Sequence, residues 1–363
     1  MTHLLLLRFS ALGDILMTVP VIKALALLHP DWQITVVSRP FVGSIFKCLA
    51  GTGAGANVHF VGINPRQYPG LVGLNKMYGE LKALKPTHVC DLHDVLRTKY
   101  LRLRFKMAGI PTSHIVKDRK ARKQFLAAEL KTQQETSFER YAKAIARLSL
   151  VSYEELTRAM TTIESIVPIA PIDSIVSIDP IASINPIAPI AASAEGAPLR
   201  IGIAPFAAHQ GKIYPLDKME RVVSLLGEKG TAVYLFGAGD EEKRLMEVWA
   251  QKYKHAESMV GVLPNMAEEM NFIASLDAML TMDSGNMHLA SLTSTPVYSI
   301  WGATHPLGGF LGWRQPMERC IQKDLPCRPC SIFGNKPCKF GDYRCLNSIT
   351  PEEVVEKFII HNS

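Results

Sequence analysis

The 363-residue sequence predicts an α/β protein of two doubly wound parallel-sheet domains facing across a cleft. Three observations predict it. Short apolar runs alternate with helical patterns in the first half, the alternation restarts in the second half, and a stretch of different composition separates the two. Strand–helix alternation points to parallel sheets covered by helices on both faces, and this length has room for two domains of roughly 150 residues each. The boundaries read as a first domain over 1–160, a linker over 161–198, a second domain over 199–345 with a cysteine-rich tail, and a closing helix over 346–363.

In the first domain, HLLLLRF (3–9), QITVVS (33–38), VHFVGI (58–63) and THVCDL (87–92) read as strands. Between the first two, Asp14–His29 is apolar on nearly every face, as a helix packed on a sheet should be. Pro20 within it predicts a kink or a first turn that ends early. Isoleucine then recurs at every third position from 163 to 190, interleaved with Pro168, Pro171, Pro180, Pro186 and Pro189. A period of three fits neither helix nor strand but fits polyproline II. The segment reads as an extended low-complexity linker, or as a rod that lays an isoleucine stripe on another surface. Beyond it, LRIGIAPF (199–206), TAVYLFG (231–237), AMLTMD (278–283) and PVYSIWG (296–302) read as strands, and 218–229, 240–253, 267–276 and 286–292 as helices. Thr350-Pro351-Glu352-Glu353 forms a capping box with proline at the first helical position, opening the final helix.

Hydrophobic residues make up 47% and charged residues 20%, a globular balance. The net charge of +7 suits an anionic partner without requiring nucleic acid. Few aromatics interleave with the basic residues, which argues against single-stranded nucleic acid binding. No run reaches the ~18 apolar residues of a membrane span. The leucines at 4–7 lack a signal peptide's basic leader and cleavage site. Cytoplasmic residence is expected, with transient contact at the inner face of the membrane. Seven cysteines, five of them near the C-terminus, do not make a secreted disulfide framework.

Several segments carry candidate chemistry. In RFSALGD (8–14), a strand runs into a turn and Asp14 opens a helix. Gly13 admits close backbone approach, and the free N–H groups of the helix start favour anions. Asp14 is either a plain helix cap or a carboxylate at the carboxyl end of the first parallel strand, where α/β clefts place their chemistry. In MDSGNMHLA (282–290), the amides of Ser284, Gly285 and Asn286 suit a diphosphate, Asp283 can accept from a hydroxyl, and His288 sits on the helix that follows. In APFAAHQGKIYP (204–215), a loop carries Lys212, a point charge able to neutralise a leaving phosphate, or else a solvated lysine. FGAGDEEKR (236–244) has two glycines of a dinucleotide fingerprint and Glu242 where the third would stand, so it speaks weakly for a nicotinamide cofactor. Glu241 is better read as a carboxylate near a sugar hydroxyl. Basic residues gather at Arg97, Lys99, Arg102, Arg104 and Lys106, and again at Lys117, Arg119, Lys120, Arg122 and Lys123. They form either solvated helix faces or a surface for an anionic acceptor, with Arg97 and Arg102 its candidates. Cys327, Cys330, Cys338 and Cys345 follow C-x2-C-x7-C-x6-C. The first pair has metal-ligand spacing, and both structural zinc and reduced thiols are open readings.

Together these segments resemble glycosyltransferase family 9, the lipopolysaccharide heptosyltransferases. Arg8, Ser10, Leu12, Gly13, Asp14 and Pro20 match R-x-S-x-L-G-D…P. Lys212, Tyr214 and Pro215 match K-x-[WY]-P. Asp283, Ser284, Gly285, His288, Leu289 and Ala290 match D-[ST]-G-x-x-H-L-A. The resemblance implies a GT-B fold of two Rossmann-like domains, the first binding an anionic lipid-linked glycan acceptor and the second a nucleotide-sugar. It implies inverting transfer of heptose from ADP-heptose to the lipopolysaccharide inner core, with no cofactor and no catalytic metal. By matching position, Asp14 would be the general base and Lys212 would contact the donor phosphates. Gly13, Glu241, Met266, Asp283, Ser284, Gly285 and His288 would serve donor binding. Ala207 and Ala208 stand where family members often carry hydroxyls, which keeps UDP- or GDP-sugar donors and another cell-envelope glycan as alternatives. A non-catalytic nucleotide-binding module at the membrane surface is the alternative of another class.

Overall fold

The computed structural model describes residues 1–50, 57–129, 131–166 and 198–360. The first sheet contains β1 (His3–Leu7), β2 (Gln33–Ser38), β3 (Val58–Gly62), β4 (His88–Asp91) and β5 (Thr112–His114), all parallel, in the order β3-β2-β1-β4-β5. The second contains β6 (Arg200–Ala204), β7 (Ala232–Leu235), β8 (Ala256–Ser258), β9 (Ala278–Met282), β10 (Val297–Ile300) and β11 (Cys320–Ile321), also parallel, in the order β11-β10-β9-β6-β7-β8. The sequence anticipates eight of these strands. β5, β8 and β11 have two or three residues each and lie at sheet edges, too short for an alternating pattern to register.

The helix expected over Asp14–His29 is two helices, α1 (Leu12–Leu16) and α2 (Val19–Leu28). The break falls at Met17–Thr18, and Pro20 sits in the first turn of α2, where its missing N–H costs nothing. The helices α3 (Gly43–Ala50), α4 (Gly70–Ala83), α5 (Leu96–Met107), α6 (Arg119–Ala127), α7 (Ser137–Ala146) and α8 (Tyr153–Thr161) complete the first half. The second half holds α9 (Leu216–Glu228), α10 (Asp240–Lys252), α11 (Met266–Ala274), α12 (Gly285–Ser291), α13 (Arg344–Asn347) and α14 (Pro351–Ile360).

Side-chain alternation along the strands sorts the apolar residues into three layers. Leu5 and Leu7 of β1 point to an outer core with Phe9, Leu101 and Phe105, while Leu4 and Leu6 point to the opposite face. In the second sheet, Ile201, Ile203, Leu280 and Met282 face another outer core, and Met279 faces inward. The middle layer is one continuous cluster that joins the inner faces of both halves, from Leu4 and Ile22 to Met279, Met287 and Leu292. The two domains therefore share a core instead of each closing its own.

The isoleucine repeat expected as a linker lies outside the described residues except at 163–166. There Ile163 and Ile166 are buried in the shared core, Ile166 donates its N–H to Leu292 (2.9 Å), and Arg314 donates to the Ile163 carbonyl (2.7 Å).

Each sheet has a switch point, between β1 and β4 in the first and between β6 and β9 in the second. In open α/β sheets the crevice beyond the strand ends at such a point is where ligands bind. The segments Arg8–Asp14 and Leu92–Asp94 leave the first switch point, and Pro205–Tyr214 and Asp283–His288 leave the second.

Candidate active site

At the first switch point, Arg8 is buried and fixed on three sides. Its Nη1 donates to the Leu92 carbonyl (2.6 Å), its Nη2 pairs with Asp14 Oδ2 (2.5 Å), and its guanidinium lies 5.7 Å from the centre of the Tyr141 ring. Asp14 is the third residue of α1, so it does not open the helix as the sequence suggests. Its Oδ2 also accepts the Ala11 N–H (3.2 Å). Capping and an exposed, oriented carboxylate are thus both present in one side chain, which keeps 29% of its surface open. From the neighbouring strand, buried Asp91 accepts the N–H groups of His93 (2.9 Å) and Asp94 (2.8 Å), and this turn places the His93 ring 3.2 Å from Ser10 Oγ. Burial, with Arg8 and Lys117 nearby, pushes the His93 imidazole down to about 3, so the ring is neutral.

At the second switch point, Lys212 ends a short turn after β6, and its Nζ lies 3.0 Å from Asp283 Oδ2. The same oxygen accepts the Thr304 hydroxyl (2.7 Å). Asp283 does accept from a hydroxyl, as its position suggested, but that hydroxyl belongs to the protein. Ser284 is the N-cap residue of α12, and its side chain makes no capping bond.

The two switch points meet. A Cβ built on Gly13 would lie 2.4 Å from Cδ2 of His288, and one built on Gly285 would lie 2.8 Å from Cδ2 of Leu12. Each turn lacks a side chain where the other turn puts one. The sequence reading has Gly13 opening a path for ligand, whereas the imidazole of His288 fills that space. Burial drives His288 down to about 4, against the charges of Asp283 and Asp14 and helped by Lys212. The ring is therefore neutral and lies within the field of both carboxylates.

Beside Asp14 opens a cavity of about 710 Å³. Among the described residues, its walls carry Arg8, Lys117, Arg119, Arg122, Lys123, Arg140 and Lys336 against a single carboxylate, Asp14. Burial and neighbouring Arg140 bring the Arg122 guanidinium down to about 10, as crowded cations should. Among the described residues, the buried polar atoms lacking a partner include Ser284 Oγ, His288 Nδ1, His93 Nδ1, Arg122 Nε and Arg140 Nη1. Orphaned groups of this kind are few in folded proteins; these five lie on the two turns and the cavity wall, while others, such as His29 Nε2, Ser38 Oγ and Ser258 Oγ, lie elsewhere.

The structure brings Asp14, Gly13, Gly285 and His288 together, with Lys212 and Asp283 beside them. It does not bring Arg97 or Arg102 to the cavity wall, and Arg102 is held by Asp91 (3.1 Å) and Asp94 (3.4 Å). The second basic group, 117–123, lines the cavity instead. Glu241 is exposed in the first turn of α10 and Met266 is the first residue of α11, and neither lines the cavity. Sequence reasoning missed His93, Arg140, Tyr141 and Thr304. His93 had a signal, because it follows a strand that lies beside the first at the switch point. Arg140 and Tyr141 had none, since they read as ordinary positions of an amphipathic helix.

Two parallel-sheet α/β domains with facing switch-point sites define the class: this is the GT-B fold. Residues 190–341 match the model of glycosyltransferase family 9 (heptosyltransferase). Lys212 and Asp283–His288 lie inside the matched stretch and Asp14 lies outside it. Among curated relatives, lipooligosaccharide heptosyltransferase 2 of Campylobacter jejuni is 29% identical over 136 residues, 36% of this chain and 41% of the relative. The protein of the same name from Haemophilus influenzae is 28% identical over 163 residues, 43% of this chain and 45% of the relative. The matches therefore span less than half the length of these relatives. Among solved structures, E. coli heptosyltransferase WaaC with ADP has a TM-score of 0.63 at 15% identity, covering 100% of both chains. E. coli ADP-heptose LPS heptosyltransferase II has a TM-score of 0.65 at 16% identity, covering 100% of this chain and 98% of that one. At such identities the likeness is one of fold.

The buried neutral histidine gives an acid-sensitivity prediction. The unfolded chain protonates such a group near 6.5, whereas folded His288 does so near about 4. Between these values the unfolded state binds more protons, so the stability this neutral ring contributes is full above about pH 6.5 and falls as pH drops toward 4. Urea unfolding of the wild type and His288→Gln at about pH 7.5 and 5 should show the wild type's advantage shrinking by on the order of 2 kcal/mol. A gap that does not change with pH would place the ring in solvent.

Proposed function

We propose that the chain is an inverting glycosyltransferase that moves heptose from ADP-heptose onto an anionic, lipid-linked glycan of the lipopolysaccharide inner core, with Asp14 as general base. The observation that carries this reading is the setting of Asp14. Among the described residues it is the one carboxylate on the wall of a strongly cationic cavity, and it adjoins Gly13, which abuts His288 of the opposite domain.

Inverting transfer is a single displacement. The acceptor hydroxyl attacks the anomeric carbon opposite the leaving nucleoside diphosphate, and a carboxylate within ~2.6–3.2 Å removes its proton. Arg8 and the Ala11 N–H hold the carboxylate in one orientation, the preorganisation such a step needs. The cations of the cavity suit phosphate or carboxylate groups on the acceptor. On the other side, Lys212 and the amides of Ser284–Asn286 suit the diphosphate. Charge grows on that group as the glycosidic bond breaks, so fixed positive groups there stabilise the transition state more than the ground state. Lys212 is held ready by Asp283, and a diphosphate would take over part of that role. The structural likeness to E. coli heptosyltransferase WaaC, solved with ADP and with ADP-2-deoxy-2-fluoro heptose, supports this donor.

No helix among the described residues is long and apolar enough to cross a membrane. Leu71, Val72, Leu96, Leu103 and Met107 are exposed on α4 and α5, beside Lys99, Arg104 and Lys106. An apolar and basic face of this kind fits peripheral contact with the anionic inner leaflet, where a lipid-linked acceptor would lie.

Melting-temperature shifts with ADP, UDP and GDP decide the donor class. ADP at about 100 times its dissociation constant should add ~2.7 kcal/mol, and a larger shift with UDP or GDP would reassign the donor. Asp14→Asn keeps shape and capping but removes basicity, so turnover should fall ~10²–10⁴-fold with nucleotide affinity little changed. Lys212→Ala should lower kcat by a few kcal/mol in barrier terms. A folded, fully active Asp14→Asn protein would end the base assignment.

A further inference from the structure

Two side chains on the wall of the cationic cavity, Ser10 and His93, take no part in removing the proton or in balancing charge. They arrive from neighbouring strands. β1 and β4 pair with Leu7 opposite Asp91. Beyond that pair one chain continues to Ser10, just before the N-cap residue Ala11, and the other to His93.

Much of the local structure goes into the turn that carries His93. Asp91 is fully buried, and its carboxylate accepts the N–H groups of His93 and Asp94 and pairs with Arg102 (3.1 Å). Asp94 stands at φ +47°, a left-handed backbone that a residue other than glycine adopts at a cost. Lys117 Nζ donates to its carbonyl (3.0 Å). A buried carboxylate, two cations and a strained residue thus fix one imidazole, with Nε2 3.2 Å from Ser10 Oγ.

The hydrogen between these two atoms can be placed. A neutral imidazole has one N–H and one bare nitrogen. His93 Nδ1 is buried and has no partner. A proton there would leave an N–H buried without an acceptor, a rarer defect in folded proteins than an acceptor without a donor. The proton therefore belongs on Nε2, pointing at Ser10 Oγ. His93 is then no base, because its bare nitrogen does not reach the cavity. Ser10 accepts from the ring, and its own O–H is left to turn into the cavity that it lines.

We propose that His93 fixes the Ser10 hydroxyl as a hydrogen-bond donor to an acceptor oxygen beside the reacting hydroxyl, so that the pair selects which hydroxyl faces Asp14. This rests on the reading of Asp14 as the base. Ala11, next to Ser10, gives its N–H to Asp14 Oδ2 (3.2 Å), so donor and carboxylate stand on one turn. A sugar offers several hydroxyls, and a carboxylate alone accepts from any of them. A fixed donor beside it is satisfied only when a second oxygen falls in place, which orients the sugar. Ser10 touches substrate in this scheme, and His93 is a positioning residue that acts through it.

Nitrogen NMR on the full chain with isotope-labelled histidine tests the placement of the hydrogen. Near neutral pH the His93 signals, assigned by their loss in His93→Gln, should show a protonated Nε2 and a bare Nδ1. A protonated Nδ1 would overturn the proposal whether or not turnover is measurable. With ADP-heptose and heptose-free lipopolysaccharide, Ser10→Ala and His93→Phe should each raise the acceptor KM about 3–10-fold, as loss of one neutral hydrogen bond does. The donor KM should not move, and a second positional isomer of the product should appear. The double variant should be no worse than either single one, and His93→Gln, which keeps an N–H, should recover most of the loss. Additive losses, or a donor KM that rises with the acceptor's, would reduce the pair to a structural role and overturn the proposal. Asp14→Asn is read in parallel: full turnover there would fail the base, whereas an unchanged acceptor KM and a single product in Ser10→Ala would fail the pair.

Discussion

The arrangement of the molecule rests on one close approach, that of Gly13 to the imidazole of His288. Any side chain at residue 13 would occupy the ring's position. Gly285 and Leu12 repeat the fit in the opposite sense, so each motif turn is the socket for the other. Neither glycine has a left-handed backbone, so the absence of a Cβ is what the packing uses, not conformational freedom. Through this contact the switch points of the two sheets face one another. The shared middle core fixes the halves behind them. A ring held this way is dry, and a dry imidazole stays neutral.

Around that contact the charges are arranged in pairs. Asp14 is matched by Arg8 and Asp283 by Lys212, so each carboxylate near the junction has its own cation. The cavity beyond holds an excess of positive charge, offset only in part by Asp14 on its wall and by Glu135, which pairs with Arg140 (3.3 Å). Low-dielectric walls strengthen that field and raise the local concentration of anions. In the proposed reaction this division serves two anions at once, the acceptor's charged groups on one side and the diphosphate on the other.

Much of this was legible in the sequence, for identifiable reasons. Long buried strands such as Leu4–Leu7 and Ala278–Met282 announce themselves by apolar runs, and their carboxyl ends locate Asp14 and Asp283 without further help. Strands of two or three residues do not, because periodicity needs length. The sequence does not show the role of Gly13. A glycine beside a motif suggests room for ligand, and only the fold shows that a histidine some 275 residues away fills the room. Arg97 and Arg102 belong to a run of charge in which one member, Arg102, pairs with Asp91 instead. Charge density along the chain does not say which face a helix turns to a cavity. The shared core was equally invisible, since a strand's pattern shows that both its faces are buried but not what covers them.

The claim at the centre of this account is that the Gly13–His288 contact sets the geometry of one composite site. A double-mutant cycle on Gly13→Ala and His288→Ala, read by unfolding free energy and by turnover, tests it most directly. If the contact is as described, Gly13→Ala should impair the wild type. It should do much less harm once His288→Ala has made room for the methyl group, giving a coupling within the 0.5–3 kcal/mol range typical of touching residues. Additive effects, with Gly13→Ala equally costly in both backgrounds, would contradict it.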